Sequence, residues 1–386
     1  MRFLFLLFFS LIFSFNSNSF ASDKSEKQKK LTQLKTKIDK LRKTIEVKEN
    51  SRSSYNRQLR SIEKQIGGIS NKIRKSNKAI KTKQRALAKL NNSKKSIQKD
   101  IFTQNQQLSE QLHTAYTLGN QEQMKLLFSQ QSAENLQRNL TYYEYFSNYR
   151  LQQIDVSTQN FDRLVENEKS IKLAKIDLEK ILNKQKSQKS SLSSDRSKRK
   201  KIVTNLENQL KKQGKYLTKL EDDEKNLKQL IDSLAEILIQ TPPPRSTKKF
   251  ISLKGKLSWP VKGKVKKLYG RLKPPSNLRW QGVVINANRG NNVRAVSHGR
   301  IAFSDWLRGM GNLIIIDHGD GYLSLYGHNE SLYKATGEWV EAGDIIGSIG
   351  DSGGQSNNGL YFEIRKKSKP QNPTRWCKSS NWFTSI

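Results

Sequence analysis

Residues 311–318 read Gly311-Asn-Leu-Ile-Ile-Ile-Asp-His318, and this short apolar run between a glycine and polar residues predicts a buried β-strand. From about Leu257 to Pro373 the chain consists of similar short apolar segments separated by glycines. Because glycine interrupts regular structure and favours turns, this pattern is typical of many short strands. We therefore predict an all-β domain over residues 257–386.

The composition of the chain changes near Thr241. All eight prolines and all six tryptophans lie beyond this residue, whereas only four of the 22 glycines precede it. Proline and glycine both interrupt helices, so their distribution predicts a helical region before residue 241 and a separate domain after it. The run Pro242-Pro243-Pro244 and the basic residues that follow predict a stiff linker over residues 241–256.

The helical region carries a heptad pattern of apolar residues. One register extends from Leu31 to Ile97, and a second extends from Leu164 to Leu238. A sustained 3.5-residue repeat causes helices to form a coiled coil. Because the two arms have similar lengths, we predict an antiparallel hairpin over residues 22–240, with a parallel dimer as the alternative. The predicted fold class is therefore α + β and multidomain, with a long antiparallel coiled-coil hairpin followed by the all-β domain.

The region between the two arms, residues 101–160, is richer in apolar and aromatic residues and is predicted to form a helical tip. Aromatic side chains at the tip of a hairpin are candidates for contact with a partner protein. The alternative is that they form the core of a small helical knob. The candidate tip residues are Met124, Leu127, Phe128, Tyr142, Tyr143 and Phe146.

The last helical segment, residues 227–239, is apolar on more than one face. A helix of this kind usually covers another surface in addition to its coiled-coil partner. The adjacent β-domain is the obvious candidate for that surface. The predicted covering residues are Leu227, Leu230, Ile231, Leu234 and Leu238.

The first 21 residues have the features of an export signal. Arg2 precedes an apolar run from Phe3 to Phe15, and Ser19-Phe20-Ala21 fits a cleavage site between small residues. A retained membrane anchor is the alternative. No later stretch is long and apolar enough to cross a membrane, so we expect an exported protein without a transmembrane segment after cleavage.

The chain is strongly basic, with 71 Lys and Arg against 34 Asp and Glu and a formal net charge of +37. Such a charge favours anionic partners. The alternative is that the basic side chains form a well-solvated surface on long helices and bind no partner. The export signal argues against nucleic acid and favours an anionic membrane surface, acidic cell-wall material or an acidic protein. Cys377 is the only cysteine in the sequence, so no disulfide forms within the chain.

Parts of the predicted β-domain resemble the LytM/lysostaphin-type peptidoglycan endopeptidases. The blocks that carry the resemblance are Trp280-Gln-Gly-Val-Val284, Gly311–His318, Tyr326-Gly-His328 and Gly359-Leu-Tyr-Phe-Glu-Ile-Arg365. The resemblance implies zinc ligands from a His-x-x-x-Asp pair and from the second His of a His-x-His motif. Those positions are Trp280, Val284 and Tyr361 in this sequence. Indole and isopropyl groups cannot ligate zinc and one phenol would not hold it, so we predict no metal, no cofactor and no catalysis.

The same resemblance places one catalytic histidine at His328, which is retained, and a second at Gly359, where it is lost. We expect His328 to be a hydrogen-bonded strand histidine. An atypical metalloendopeptidase with a site rebuilt from His298, His318 and His328 is an alternative. A passive cell-wall-binding protein, attracted by charge alone, is another.

The order of signal peptide, long hairpin and metal-less LytM domain resembles the murein hydrolase activators of Gram-negative cell division. The resemblance implies activation of periplasmic zinc-dependent N-acetylmuramoyl-L-alanine amidases at the division septum. It also implies that the extracytoplasmic part of FtsX, in the FtsEX complex, docks on the hairpin tip. Until FtsEX rearranges the hairpin, a helix next to the LytM domain would block the amidase-binding groove.

The resemblance assigns that groove to seven positions, whose aromatic and cationic side chains have the composition of a protein-binding surface. The alternative is that they are core residues which fill the space left by the zinc. The assigned residues are Trp280, Gln281, Val284, Leu313, Tyr326, Tyr361 and Arg365.

Overall fold

A computed structural model describes residues 54–118, 133–212, 216–239, 249–273 and 276–378, together with four isolated residues between 32 and 40. The predicted signal peptide, residues 241–248 of the predicted linker, and three tip candidates lie outside the described residues. Those three candidates are Met124, Leu127 and Phe128. Within the described part, no helix combines the length and the apolar character needed to span a bilayer.

The described residues before the β-domain include three long helices. They are α1 (Ser54–Leu118), α2 (Ala133–Lys212) and α3 (Tyr216–Ile239). The chain divides into two compact units, of which one comprises residues 73–188. The other comprises the residues up to Lys72 together with those from Lys189 onward.

Within residues 73–188, α1 and α2 pair in opposite directions. Four side-chain pairs join the two helices at different points along their length. As the residue number on α1 increases, the residue number of its partner on α2 decreases. The pairs are Asn77–Gln185 at 2.7 Å, Lys83–Asp177 at 2.9 Å, Lys94–Glu168 at 2.6 Å and Gln104–Asn160 at 3.2 Å. This order confirms the predicted antiparallel hairpin, because a parallel pair would show partners that increase together.

The described part of the β-domain contains ten strands, all paired antiparallel. The strands are β1 (Lys264–Lys266), β2 (Val283–Asn286), β3 (Asn292–Arg294), β4 (Gly299–Leu307), β5 (Gly311–Asp317), β6 (Tyr322–Leu332), β7 (Trp339–Val340), β8 (Ile345–Ile349), β9 (Leu360–Lys366) and β10 (Lys369–Gln371). The main sheet has the order β1-β2-β9-β6-β5-β4-β7. Strand β10 pairs with β9, and β8 pairs with β6 and β3.

The two faces of the main sheet bury different hydrophobic clusters. Along β5, Ile314 and Ile316 belong to the first cluster, and Leu313 and Ile315 belong to the second, as the two-residue period of a strand requires. The first cluster also contains Phe250, in a short 3₁₀-helix (Phe250–Leu253). The core therefore begins before Leu257, where the sequence pattern placed the start of the domain.

Helix α3 covers the second face of the sheet. Its side chains Leu230, Ile231 and Leu234 are completely buried. They pack in one cluster with residues of β4, β5 and β6, and the cluster comprises Leu227, Leu230, Ile231, Leu234, Leu238, Ala302, Phe303, Leu307, Leu313, Ile315, Leu323 and Leu325. The structure thus places the predicted covering residues on the β-domain, with a helix that begins eleven residues earlier than the predicted segment, at Tyr216.

Candidate protein-binding groove

On the face of the sheet that α3 covers, which we call the outer face, strand β9 carries a buried polar network. Glu363 is completely buried and accepts hydrogen bonds from the Tyr361 hydroxyl at 3.0 Å and from Arg365 Nε at 2.6 Å. Burial raises the pKa of the Glu363 carboxyl, and the adjacent Arg365 charge opposes that rise. Burial also raises the pKa of Tyr361 well above its usual value, so its hydroxyl stays protonated and donates to Glu363.

This network continues from the sheet to helix α3. A second guanidinium nitrogen of Arg365 donates to the side-chain oxygen of Gln281. The Gln281 amide nitrogen in turn donates to Glu224 Oε1 at 2.7 Å, and Glu224 lies on α3. The amide of Gln281 therefore bridges the β9 network and the covering helix.

The positions that correspond to zinc ligands do not form a metal site. Val284 lies opposite Tyr361 in the β2–β9 ladder, and the Trp280 ring lies 6.4 Å from the Tyr361 ring between centroids. The Trp280 ring also makes a cation–π contact with Lys273 Nζ at 4.8 Å. Zinc requires imidazole, thiolate or carboxylate ligands, so this arrangement does not fit the metal. Among the described residues, no group of three His, Cys, Asp or Glu side chains is arranged to hold one.

His328 is held at the groove by an irregularity of β6. Asn312 pairs with Asn329, and Ile314 pairs with Tyr326, so Gly327 and His328 form a bulge between these pairs. His328 adopts a φ of 63°, which is uncommon for a residue other than glycine. Its Nδ1 donates to the Ser352 carbonyl at 2.9 Å, as a neutral imidazole can. The expectation of a hydrogen-bonded strand histidine is confirmed.

Buried His328 and His318 make the β-domain sensitive to acid. Burial lowers the pKa of each imidazole to about 4. An unfolded histidine titrates near pH 6.5, so the unfolded chain takes up protons first as the pH falls. We expect each histidine to lower the free energy of unfolding by up to about 3 kcal/mol between pH 6.5 and pH 4.

Urea unfolding at pH 7 and at pH 4.5 measures this effect. The variant His318→Gln retains a donor for the His298 carbonyl, which lies 2.6 Å from His318 Nδ1, but does not titrate. It should therefore lose less stability than the unmodified chain on acidification. An equal loss in both proteins would show that His318 is not the acid-sensitive group.

A cleft of about 280 Å³ lies beside Tyr361, between the sheet and the helices. Its β-domain wall is formed by Lys273, Trp280, Gln281, Met310, His328 and Tyr361. Its helical wall is formed by Leu59, Val203, Leu206, Tyr216, Leu220 and Asp223. We call this space the groove cleft. Of the seven predicted groove residues, it brings together Trp280, Gln281 and Tyr361.

The other predicted groove residues do not line the groove cleft, and the prediction for Tyr326 was wrong. Tyr326 is completely buried on the opposite face of the sheet, where its ring lies 5.4 Å from that of Phe362. Since side chains alternate along a strand, Leu325 instead shares the outer face with Glu363, its partner in the ladder. Sequence reasoning placed Tyr326 on the wrong face.

Leu313 and Arg365 share the outer face of the sheet but are covered. Leu313 is completely buried in the cluster beneath α3, and Arg365 is buried against Glu363. Val284 is half-buried on β2 and does not line the groove cleft. Arg365 therefore lies on this face as the ion-pair partner of Glu363, and its side chain is not exposed to a partner protein.

Ion pairs that the sequence analysis missed attach α3 to the β-domain. Arg308, in the turn after β4, lies 2.7 Å from Asp223 and 3.4 Å from Asp222. Gly309 follows with a φ of 80°, and a Cβ there would lie 2.7 Å from the Asp223 side chain. The turn therefore requires glycine both for its conformation and for the close approach of α3.

The beginning of α1 and the end of α2 also bind the β-domain. Glu63 is buried and accepts hydrogen bonds from Arg199 Nε at 2.8 Å, from the Trp306 indole at 2.6 Å and from the Gly353 amide at 2.8 Å. Arg199 also pairs with Asp351 at 2.8 Å. These partners are more than 100 residues apart in sequence, and heptad analysis has no means of finding them.

The tip candidates on α2 that the structure describes differ in exposure. Tyr142 and Phe146 are exposed to 56% and 62%, and Tyr143 is half-buried. Tyr145 and Tyr149, which lie close to them on the same helix, are also exposed. A cluster of exposed aromatic side chains is unusual on a monomeric surface and is a candidate for partner contact.

Residues 278–373 match Peptidase family M23, and this segment contains Trp280, Val284 and Tyr361. Murein hydrolase activator EnvC of Escherichia coli (strain K12) is 42% identical over 123 residues, which are 32% of this chain and 29% of the relative. Murein hydrolase activator NlpD of the same strain is 40% identical over 119 residues, which are 31% of this chain and 30% of the relative. The predicted resemblance to murein hydrolase activators is thereby confirmed over the β-domain.

Helicobacter pylori Csd3, in an orthorhombic crystal, is a similar solved structure. It is 27% identical in the aligned region, with a TM-score of 0.28, and the alignment covers 32% of this chain and 35% of that chain. The chain matches less than a third of the length of the EnvC and NlpD relatives. The match to Peptidase family M23 lies within the β-domain, at residues 278–373.

Proposed function

We propose that this protein is a non-catalytic activator of periplasmic peptidoglycan amidases, the N-acetylmuramoyl-L-alanine amidases, in septal wall splitting and daughter-cell separation. The observation that carries the proposal is the chemistry of the groove. Trp280, Val284 and Tyr361 stand where a zinc peptidase has ligands, and the Tyr361 hydroxyl is already bonded to Glu363. A face with this composition suits the binding of another protein better than hydrolysis.

The similar proteins support the same class of function. Both EnvC and NlpD are named as murein hydrolase activators. Residues 278–373, which match Peptidase family M23, contain the groove residues Trp280, Gln281 and Tyr361. We extend that role to the present chain and assign it to the periplasm, in agreement with the predicted export signal.

Helix α3 provides a mechanism of control. It buries Leu230, Ile231 and Leu234 on the sheet and supplies Asp223 to the wall of the groove cleft. In the proposed resting state α3 blocks the groove, and in the active state α3 is withdrawn so that a helix of the amidase binds in its place. A switch of this kind requires a difference in binding free energy of about 5 kcal/mol between the two states.

The hairpin tip is proposed to receive the signal that withdraws α3. The exposed aromatic residues near Tyr142 and Phe146 support a partner contact there. In this proposal the partner is the extracytoplasmic part of FtsX in the FtsEX complex, which would also recruit the protein to the division septum. Alterations at these aromatic residues should prevent septal recruitment and leave stimulation by a released β-domain unchanged.

Release of dye from labelled peptidoglycan tests the proposed function. The purified protein alone should release no dye, and a periplasmic amidase with the protein should release more than the amidase alone. Cleavage of sacculi by the protein alone that is reversible by a chelator would overturn the proposal, because it would show a metalloendopeptidase.

Trp280 is the groove residue whose replacement should affect activation with the least cost to folding. It is half-buried, lines the groove cleft and lies outside the main hydrophobic clusters, unlike Tyr326. We expect Trp280→Ala to reduce amidase stimulation by at least about tenfold, since a hot-spot aromatic contributes about 2 kcal/mol or more. Stimulation is measured by dye release, and the midpoint of unfolding reports the fold.

The matched control for this variant is Trp339→Ala, which removes an exposed tryptophan from β7, away from the groove cleft. It should stimulate the amidase as well as the unmodified chain does. Equal stimulation by both variants would remove Trp280 from the amidase-binding surface.

A further inference from the structure

The β-domain side of the groove cleft is cationic. Among the described residues that line the cleft on this side, the charged ones are Lys273, Arg279 and Arg308. The acidic residues in the same described lining belong to the helices, and they are Glu207 on α2 and Asp223 and Glu224 on α3. The helices therefore supply the carboxylates, and the β-domain supplies a positive surface that attracts them.

Arg308 forms its ion pairs with α3. Its Nε lies 2.7 Å from Asp223 and its Nη2 lies 3.4 Å from Asp222. The Arg308 and Asp223 side chains are exposed to only 8% and 9%. Withdrawal of α3 removes both of these partners. A helix that took the place of α3 would bury Arg308 again, and a buried charge without a partner is costly.

Lys273 lies close to the acids of the same helix. Its Nζ is 4.8 Å from the centroid of the Trp280 ring, in the wall of the groove cleft. Burial lowers the pKa of Lys273, and the carboxylates of Asp223 and Glu224 oppose that decrease. These carboxylates thus favour the charged form of Lys273 in addition to pairing with Arg308.

The buried apolar residues of α3 follow its acids at a helical spacing. Leu227 comes four residues after Asp223, about one turn later, and Leu230, Ile231 and Leu234 continue the same buried face. Residues three and four positions apart share one side of a helix. A helix that fills the same space therefore needs an acidic residue one turn before its apolar stripe.

We propose that Arg308 and Lys273 select the partner helix by its charge, and that the amidase helix which replaces α3 carries a carboxylate at the position of Asp223. This inference rests on the proposed function, which supplies the amidase as the occupant. The acidic and apolar residues of α3 then have counterparts in the amidase helix. The two helices compete for the same guanidinium, so Arg308 stabilises both the resting and the active state.

Substitutions at the Arg308 ion pairs test the proposal. Asp222→Asn/Asp223→Asn removes the paired carboxylates of α3, so hydrogen exchange across residues 216–239 should become faster. Dye release with a periplasmic amidase should increase at the same time. Adding Arg308→Gln to this variant should lower the stimulation by at least about tenfold, because loss of one partner of a buried charge pair commonly has this effect or a larger one.

The aspartate variant isolates the contact of Arg308 with the partner helix, since α3 has already lost both ion pairs. In the same background, Arg308→Lys retains a positive charge and should lose less stimulation than Arg308→Gln. The matched control is Arg375→Gln, which removes an exposed cation outside the groove cleft and should leave stimulation unchanged. The midpoint of urea unfolding reports the fold of each variant. Undiminished stimulation after Arg308→Gln would overturn the proposal.

A synthetic peptide with the sequence of residues 216–239 tests the charge preference without an amidase. Its binding to the full-length Asp222→Asn/Asp223→Asn variant is measured by fluorescence anisotropy. The peptide should bind at least about tenfold more tightly than one that carries Asp222→Asn, Asp223→Asn and Glu224→Gln. Equal binding of the two peptides would contradict the proposal, because apolar contacts alone would then select the helix.

The peptide measurement separates a failure of this inference from a failure of the proposed function. Tighter binding of the acidic peptide without any stimulation of an amidase would support selection by charge and contradict the activator function. Stimulation of the amidase together with equal binding of the two peptides would support the activator function and overturn selection by charge.

Discussion

Replacing Leu230 and Leu234 together with alanine should convert the protein into an activator that stimulates its amidase without a signal from the hairpin. Both side chains are completely buried between α3 and the sheet. Truncation of a buried leucine to alanine costs about 2–5 kcal/mol. Here much of that cost falls on the docking of α3, because the core on the other face of the sheet, which includes Ile314 and Phe362, is untouched.

The expected increase in stimulation is about tenfold or more. Each 1.4 kcal/mol by which the docked state of α3 is destabilised shifts the equilibrium between docked and withdrawn α3 by about tenfold. Dye release with a periplasmic amidase measures the increase. Hydrogen exchange across residues 216–239 should become faster at the same time, as local opening requires.

Gln229 supplies the matched control for these substitutions. It is exposed on the same helix, directly before Leu230, so Gln229→Ala should change neither hydrogen exchange nor stimulation. Faster exchange in the double alanine variant without any increase in stimulation would show that α3 detaches but does not regulate the groove. The autoinhibition part of the proposed mechanism would then be wrong, and the activator function would need another control.

Arg199→Met should be the most destabilising single substitution at the junction of the hairpin with the β-domain. It leaves the Glu63 carboxylate buried with the Trp306 indole and the Gly353 amide but without its cationic partner. Breaking a buried ion pair in this way costs about 3–5 kcal/mol. Because the Trp306 and Gly353 donors can still bond a neutral side-chain oxygen, the double variant Glu63→Gln/Arg199→Met should be more stable than Arg199→Met alone.

The pH dependence of Arg199→Met gives a second measurement. Burial raises the pKa of Glu63, and the Arg199 charge is the main influence that lowers it again. Without Arg199 the folded-state pKa should rise further above that of the unfolded chain. A carboxyl with a raised pKa contributes stability at low pH and loses it as the pH rises through the folded-state value. Relative to the unmodified chain, Arg199→Met should therefore be less destabilised at pH 5 than at pH 8.

Urea unfolding at the two pH values measures both effects. The matched control is Lys198→Met, which removes an exposed cation from the neighbouring position of α2 and should change stability by less than about 1 kcal/mol. Additive effects of Glu63→Gln and Arg199→Met would contradict a direct pairing of their charges, since residues in contact should show coupling.

Much of the architecture could be predicted from periodicity and composition. The heptads in the two helical arms predicted the antiparallel hairpin, because apolar residues with a 3.5-residue period require a second helix against them. The short apolar segments separated by glycines predicted the β-domain, because glycine interrupts regular structure and favours the turns between strands. The identities of Trp280, Val284 and Tyr361 predicted that these three side chains do not hold zinc, because ligation depends on the functional group that a side chain carries.

Only the tertiary structure showed which groups those surfaces bring together. Tyr326 and Leu325 are neighbours in the chain, yet one lies in the core and the other lies beneath α3. The face of each was decided by the register of β6 against β9, which residue spacing alone does not specify. The partnership of Glu63 with Arg199 likewise depends on how the helices pack on the β-domain. Local patterns determine which elements form, and long-range packing decides their contacts, because burial and charge pairing depend on distance in space and not on separation along the chain.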